Sequence, residues 1–290
     1  MNAKVSIFSE IEQHITDRQS YRIEQQRQDD METFHERTKF FPSTILNKSI
    51  KVGNYMNYRP YVSQMVSNFK SYPLSSRIEL PEPNQIAMSF SEIQNSRCST
   101  RQYSAEPISL QMLSDLLAAS AGVNRLEHHP KFPDLEIRKR VYPSAGNLFP
   151  VEIYPVILRG EGLSPCVTHY DAIKHRLDII EDDVTKEKVA NAMADFEITG
   201  TGYTRDISLI IVLTAVFQRS VTKYEERGYR FAMLEAGLLG NNFSLAATGL
   251  GMRSLNWGAY YDGLTDELLR VDGVNESVVN CIMIGKPVRP

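Results

Sequence analysis

Cysteine is scarce in this chain. Cys98, Cys166 and Cys281 are an odd number at wide spacings, which excludes both a disulfide framework and the paired spacing of a zinc site. Reduced thiols in a cytoplasmic protein are the expectation. No apolar run nears the roughly 20 residues that cross a bilayer, and the opening MNAKVSIFSEIEQHITDRQ has no apolar core of secretory length. A membrane protein is therefore not expected. A cationic excess is missing too: 32 Lys and Arg against 35 Asp and Glu leave a formal charge of -3, without the basic stripe that would make nucleic acid a partner. There is no internal repeat and no low-complexity tract.

What is present is apolar mass, 42% of 290 residues, ample for a real core. Residues 1 to about 75 are rich in charged and amide side chains and read as helices separated by polar turns. Pro73, Pro81 and Pro83 break any regular helix. The chain thus divides into a helical N-terminal extension, 1–85, and a catalytic domain, 86–290.

In that domain helices and strands interleave. Ser109 can cap a helix whose Leu110, Leu113, Leu116, Leu117 and Ala121 recur at spacings of three and four, with Gly122 as its stop. VEIYPVIL (151–158) and the almost wholly apolar ISLIIVLTAVF (207–217) read as strands, the second central. Residues 169–180 resemble a hairpin, 185–196 an amphipathic helix, and VVNCIMIG (278–285) a last strand. From 222 to 250 the pattern predicts one long helix, opened by a capping box of Thr222 and Glu225 and closed at Gly249 and Gly251. It is apolar on almost every face after Phe231, which suits a dimer core.

Five clusters can carry chemistry. Arg97, Ser99 and Arg101 alternate on an extended segment, so two guanidinium groups and a hydroxyl can converge on one anion such as a phosphate; the same letters also fit two solvated arginines. Pro143, Ser144, Ala145, Gly146 and Asn147 form a small-residue turn ahead of a strand, open to a flat ligand or simply a turn. Lys223 and Tyr224 fall in the first turn of the expected long helix, where the positive dipole end and desolvation lower a lysine pKa and make it a usable base. The plain alternative is an exposed lysine beside a packed tyrosine. Lys286 and Arg289 in the basic tail either close over the same anion or are solvated. Trp257 and Gly258, in an expected loop, either line an aromatic ligand or anchor the core.

The order of SRCSTRQY, YPSAGNLFPVEIY, KYEERGYRFAMLEAGLLGNNFSLAATGLGM, NWGAYYD and IGKP resembles the SagB-type dehydrogenase branch of the nitroreductase superfamily, which includes the oxidase subunit of microcin B17 synthetase. The resemblance covers about 90–290, with weaker echoes in FHERTKF (34–40) and IELPEP (78–83). It implies an α+β sandwich with a central, mostly antiparallel sheet and surrounding helices, and a homodimer with FMN at its interface. Arg97, Ser99 and Arg101 take the phosphate and ribityl positions, residues 143–147 and Gly258 the two edges of the isoalloxazine, and Lys286 and Arg289 loosely the phosphate. Lys223 and Tyr224 match the catalytic lysine-tyrosine pair of the azoline oxidases. The family's Gln-Asn within the long helix is Asn241-Asn242 here, so Asn242 is a weaker cofactor contact; no metal is implied.

The implied reaction converts a thiazoline or oxazoline in a peptide, or on a carrier protein, to a thiazole or oxazole. Lys223 or Tyr224 takes a proton, FMN takes a hydride at N5, and oxygen reoxidises the flavin. A cyclodehydratase or a nonribosomal peptide synthetase is the implied partner. The rivals are an NAD(P)H-dependent nitro or quinone reductase and a non-catalytic scaffold subunit of a peptide-modifying complex.

Overall fold

The computed structural model describes residues 18–67, 69–195 and 202–288; Arg289 of the expected site lies outside them. Packing separates two compact units, Met1–Ser49 and Ile50–Pro290. In the first, helix α1 (Arg18–Arg37) ends where the buried Thr38 hydroxyl donates to the His35 carbonyl oxygen at 2.8 Å. Helix α2 (Pro42–Asn57) spans the division and is followed by α3 (Arg59–Ser67).

The second unit is built on a seven-stranded sheet. Its strands are β1 (Arg77–Glu79), β4 (Val151–Ile157), β5 (Cys166–Asp171), β6 (Arg176–Glu181), β7 (Leu209–Val216), β8 (Arg253–Trp257) and β9 (Glu276–Gly285), in the order β1-β6-β5-β4-β7-β9-β8. Every pairing between these strands is antiparallel. The continuous apolar run of β7 has a simple cause. Leu209, Ile211 and Leu213 face one core layer, while Ile210 and Val212 face another, so the period-two alternation is hidden by burial on both faces.

Helices cover both layers. Helix α5 (Leu110–Ala121) is capped by Ser109, whose hydroxyl accepts from Met112 N at 3.2 Å, and buries Leu113, Leu116 and Leu117. With the long helix α8 (Arg227–Gly249) it fills the first layer, where Leu239 and Phe243 are fully enclosed. Helices α6 (Lys186–Ala192) and α9 (Asp262–Leu269) fill the second. Helix α4 (Phe90–Ser96) opens with a Ser89/Glu92 capping box. A separate antiparallel hairpin, β2 (Val123–His129) and β3 (Phe132–Arg140), was not anticipated, because its strands carry charge on both faces and stay mostly exposed. Among the described residues no helix is long and apolar enough to cross a membrane.

Two expectations need correction. The single helix from 222 to 250 is broken: helix α7 (Phe217–Tyr224) ends at Glu225, whose φ is 54°, and α8 starts afresh. The Thr222 hydroxyl donates back to the Gln218 carbonyl at 2.7 Å, so the expected capping box does not form. Gly228 allows the break, since a Cβ there would stand 2.6 Å from the Ser220 carbonyl carbon; only glycine lets the two helices cross that closely. Trp257 is not in a loop. It ends β8, and its buried indole donates to the Met193 carbonyl oxygen at 2.8 Å, which makes it a core anchor.

Candidate functional site

Lys223 and Tyr224 occupy the last turn of α7, not the first turn of a long helix. The helix dipole there favours an ammonium and opposes the expected pKa drop. Desolvation overrides it. Lys223 is only 6% exposed, and burial pushes its amine down to about 8. Its nitrogen lies 3.0 Å from Met56 Sδ, a weak acceptor, and over the rings of Tyr55 at 5.5 Å and Tyr224 at 5.2 Å. Burial, seconded by Tyr55, instead raises the Tyr224 phenol above its ordinary value. The pair is thus asymmetric: near neutral pH the lysine can shed its proton and the tyrosine keeps its own.

The structure brings this pair together with the 143–147 turn. Gly146 has φ 65°, and a Cβ built on it would stand 2.5 Å from Lys223 Nζ and closer still to the Tyr224 hydroxyl. No other residue type fits that gap without moving the pair. Asn147 and Phe149 also have positive φ, 61° and 44°, a conformation that persists only when its surroundings enforce it. The enforcing contacts are identifiable. Ser144 Oγ accepts from Phe149 N at 2.9 Å, Asn147 donates to the Arg138 carbonyl at 3.2 Å, and Arg219 donates to the Phe149 carbonyl at 2.8 Å. Pro143, Ser144, Gly146 and Asn147 line a cleft of 610 Å³ whose opposite wall is Asn124, Arg125, Lys139 and Arg140 of the hairpin.

Beneath the turn lies a buried ionic floor that the sequence reading missed. Arg219 pairs with Glu152 at 2.5 Å, and Glu152 also meets His169 at 2.8 Å. Against the burial that would raise it, Arg219 and His169 hold the Glu152 carboxyl well below the carboxylate range. Arg140 donates to the Tyr142 hydroxyl at 2.9 Å and stacks on Phe149 at 4.8 Å. Glu235 of α8, 2% exposed, completes the floor. Glu235 alone gave a signal, a lone acid in the apolar FAMLEAGLLG; Arg219, Glu152 and Arg140 read as ordinary surface charges.

A second grouping joins the 97–101 segment to the end of the sheet. Thr100 N donates to the Ser254 carbonyl at 3.0 Å and Ser104 N to the Lys286 carbonyl at 3.0 Å. Arg97, Ser99 and Arg101 are exposed, and the two guanidinium groups have no ion pair among the described residues. Arg101 lines a cavity of 580 Å³ with Tyr103 and Arg205, distinct from the Gly146 cleft. Lys286 faces Glu106 at a loose 3.8 Å. Arg97, Arg101 and the Ser99 hydroxyl are of the kind that suits a phosphate monoester. A Cβ added at Gly258 would have nothing within 4 Å, leaving its face open. Asn242 is engaged within the chain, donating to the Ser120 carbonyl at 3.2 Å.

A protein of Methanocaldococcus jannaschii assigned to the nitroreductases is 28% identical over 67% of this chain and 89% of its own length. The microcin B17-processing protein McbC of Escherichia coli is 26% identical over 48% of this chain, and the trifolitoxin-processing protein TfxB of Rhizobium leguminosarum 24% over 75%. The matches span only 52% and 59% of those two relatives. Among solved structures, one from Anabaena variabilis assigned to the nitroreductases superposes with a TM-score of 0.65 at 26% identity, over 87% of this chain and 45% of that one. The E. coli microcin synthetase McbBCD complex with truncated pro-MccB17 bound gives 0.54 at 17% identity, over 83% of this chain and 97% of that one, a likeness of fold. The Nitroreductase family model matches residues 95–286, and the chain belongs to that family.

Proposed function

We propose that this oxidoreductase is an azoline dehydrogenase, converting a thiazoline or oxazoline ring in a peptide or on a carrier protein to the aromatic azole. One observation carries the reading: Lys223 is buried against Met56, Tyr55 and Tyr224, with an amine held near 8 and burial as its only cause. A reductase that receives its hydride from a nicotinamide needs no such base; aromatising an azoline requires loss of a ring proton as well as a hydride. The similarity to McbC and TfxB, both peptide-processing proteins by name, supports the same reading.

The exposed Arg97 and Arg101 suit the phosphate of FMN, which when bound would supply the acceptor for the hydride equivalent. Arg97, Ser99, Arg101 and Lys286 would hold its phosphate, and the 143–147 turn and Gly258 would border its ring. Lys223, as the neutral amine, takes the proton; Tyr224, kept protonated, orients the substrate by hydrogen bonding; and the apolar wall of Tyr55 and Met56 excludes water. The exposed Leu234 and Leu238, four residues apart on α8, would offer an apolar surface to a homodimer. A cyclodehydratase or a peptide synthetase would deliver the substrate.

The test is anaerobic single-turnover flavin bleaching with an azoline peptide and a carrier-bound azoline. Lys223→Ala should remain yellow and folded and lose roughly 100- to 10,000-fold in rate, with a smaller loss for Tyr224→Phe. Bleaching of Lys223→Ala at the wild-type rate, or rapid bleaching by NADPH alone, would overturn the reading. A monomer in light scattering that carries a full complement of FMN would remove the dimer from it.

A further inference from the structure

The β2–β3 hairpin divides two clefts. Its register pairs Arg125 with Lys139 and Leu126 with Arg138, and adjacent pairs face opposite ways. Arg125, Ile137 and Lys139 line the 610 Å³ cleft that Gly146 and Asn147 close. Leu126 and Arg138 line a second cleft of 490 Å³, with Ala118, Val123 and Ile173. His175 stands in that second wall with both ring nitrogens occupied, one by the Ser114 hydroxyl at 2.7 Å and one by the Tyr170 hydroxyl at 2.9 Å. It offers the cleft ring carbon, so this side suits an apolar side chain. The hairpin edge toward the turn is engaged, since the Asn147 side chain donates to the Arg138 carbonyl of β3 at 3.2 Å. Along the opposite edge β2 pairs with no strand among the described residues, and Asn124 to His128 are exposed. Every second residue there turns its N–H and C=O outward. Such an edge invites another strand unless a proline, an unpaired charge or a bulge blunts it. In β2 the irregularities lie at the two ends, there is no proline, and Arg125 is paired with Glu127 at 2.7 Å.

We propose that β2 docks the peptide segment that flanks the azoline, which adds to it as a third, extended strand. The inference rests on the azoline reading and narrows the substrate to rings with several residues of extended backbone beside them. Alternate side chains of an added strand fall on opposite faces, and each face here has its own cleft. One side chain meets Arg125 and Lys139; the next meets Leu126. Arg125 and Lys139 share the one carboxylate of Glu127, so the first face keeps an excess of positive charge and suits an acidic side chain. The ring itself has no amide N–H on its nitrogen and no carbonyl at the carbon joined to sulfur or oxygen, because both were consumed in forming it. It cannot join the ladder, and leaves the end of β2 for the first cleft, beside the Gly146 turn that packs on Lys223.

The experiment uses the FMN-loaded protein and thiazole-capped hexapeptides, the product form, which bind without turnover. One peptide carries Glu and Leu alternately, and a second has the two exchanged. One phase should bind about tenfold tighter than the other, and Leu126→Lys, a change at an exposed position, should remove the preference. Methylating the peptide amides one at a time should weaken binding about tenfold at every second position and leave the others unchanged. In hydrogen exchange the outward β2 amides should slow when peptide is added. Equal binding of the two phases, a methylation loss without alternation, or β2 amides that exchange no slower would overturn the inference. So would β2 amides already protected in the peptide-free protein at micromolar concentration, which would give the edge to a second copy. Peptide held along β2 by a wild type that never oxidises an azoline sinks the proposed function and leaves the docking edge. Oxidation of a carrier-bound azoline with β2 unprotected does the reverse.

Discussion

Gly146→Ala isolates the geometry on which the proposed chemistry depends. An alanine Cβ would stand 2.5 Å from Lys223 Nζ and nearer the Tyr224 hydroxyl. Both are ends of flexible side chains, so they yield before the backbone does. The lysine nitrogen must retreat about 1 Å to regain van der Waals distance, and a displacement of that size at a reacting group costs on the order of 100-fold in rate. Stability suffers far less. The left-handed φ of 65° costs a non-glycine residue about 1 to 2 kcal/mol, offset by about 0.4 to 1 kcal/mol because alanine restricts the unfolded chain. The net, about 1 kcal/mol, lowers Tm by a few degrees. Single-turnover rates, FMN content and calorimetry on the same preparation separate these effects. Gly263→Ala on α9, with nothing within 4 Å of its Cβ, should keep the wild-type rate. A Gly146→Ala protein that turns over normally would show that the turn does not set the position of Lys223.

Two further predictions follow from charge. Removing Arg97 or Arg101 as alanine should lower FMN occupancy, each charge-assisted contact being worth about 1.5 to 3 kcal/mol; undiminished FMN in the double variant, measured after heat release, would remove these residues from the phosphate site. Burying the Lys223 ammonium costs stability at all pH values below the folded pKa of about 8, and the cost fades as pH rises from there toward the ordinary 10.5. Wild-type stability should thus climb by about 3 kcal/mol across that window relative to Lys223→Met, which should be the more stable protein at pH 7; parallel denaturation curves from pH 7 to 10.5 would contradict the burial argument.

The elements that sequence resolves are those whose signal is local. The buried β7 is recognisable because its continuous Ile, Leu and Val admit no solvated face, and α5 because Ser109, its leucines and Gly122 lie within one short window. The proposed catalytic pair, Lys223 and Tyr224, could be picked out by its residues but not placed. A period of 3.6 runs through 222–250 without a break, and the interruption at Glu225 comes from Gly228 pressing on Ser220, a contact between two helices. The floor was hidden for the same reason. Arg140, Glu152 and Arg219 come from three different elements, and each alone looks like a solvated charge. Met56 and Tyr55, which lie more than 160 residues before Lys223 in the chain, carry no local mark of their role.

The misplacement of Lys223 changes the physics of the proposed base. At a helix start, the dipole would depress the lysine pKa whether or not a substrate is present. At the end of α7 the dipole works the other way, so the amine is lowered by exclusion of water alone. The wall that excludes water is Tyr55, Met56 and Tyr224, with Gly146 closing the fourth side. A flat heterocycle entering beside that turn would displace more water and push the amine further toward its neutral form. On the proposed reading, the substrate whose proton Lys223 would remove also makes the neutral amine more available. Loosening the wall would raise the pH at which turnover begins without altering the residues that touch the ring, which separates control of the base from recognition of the substrate.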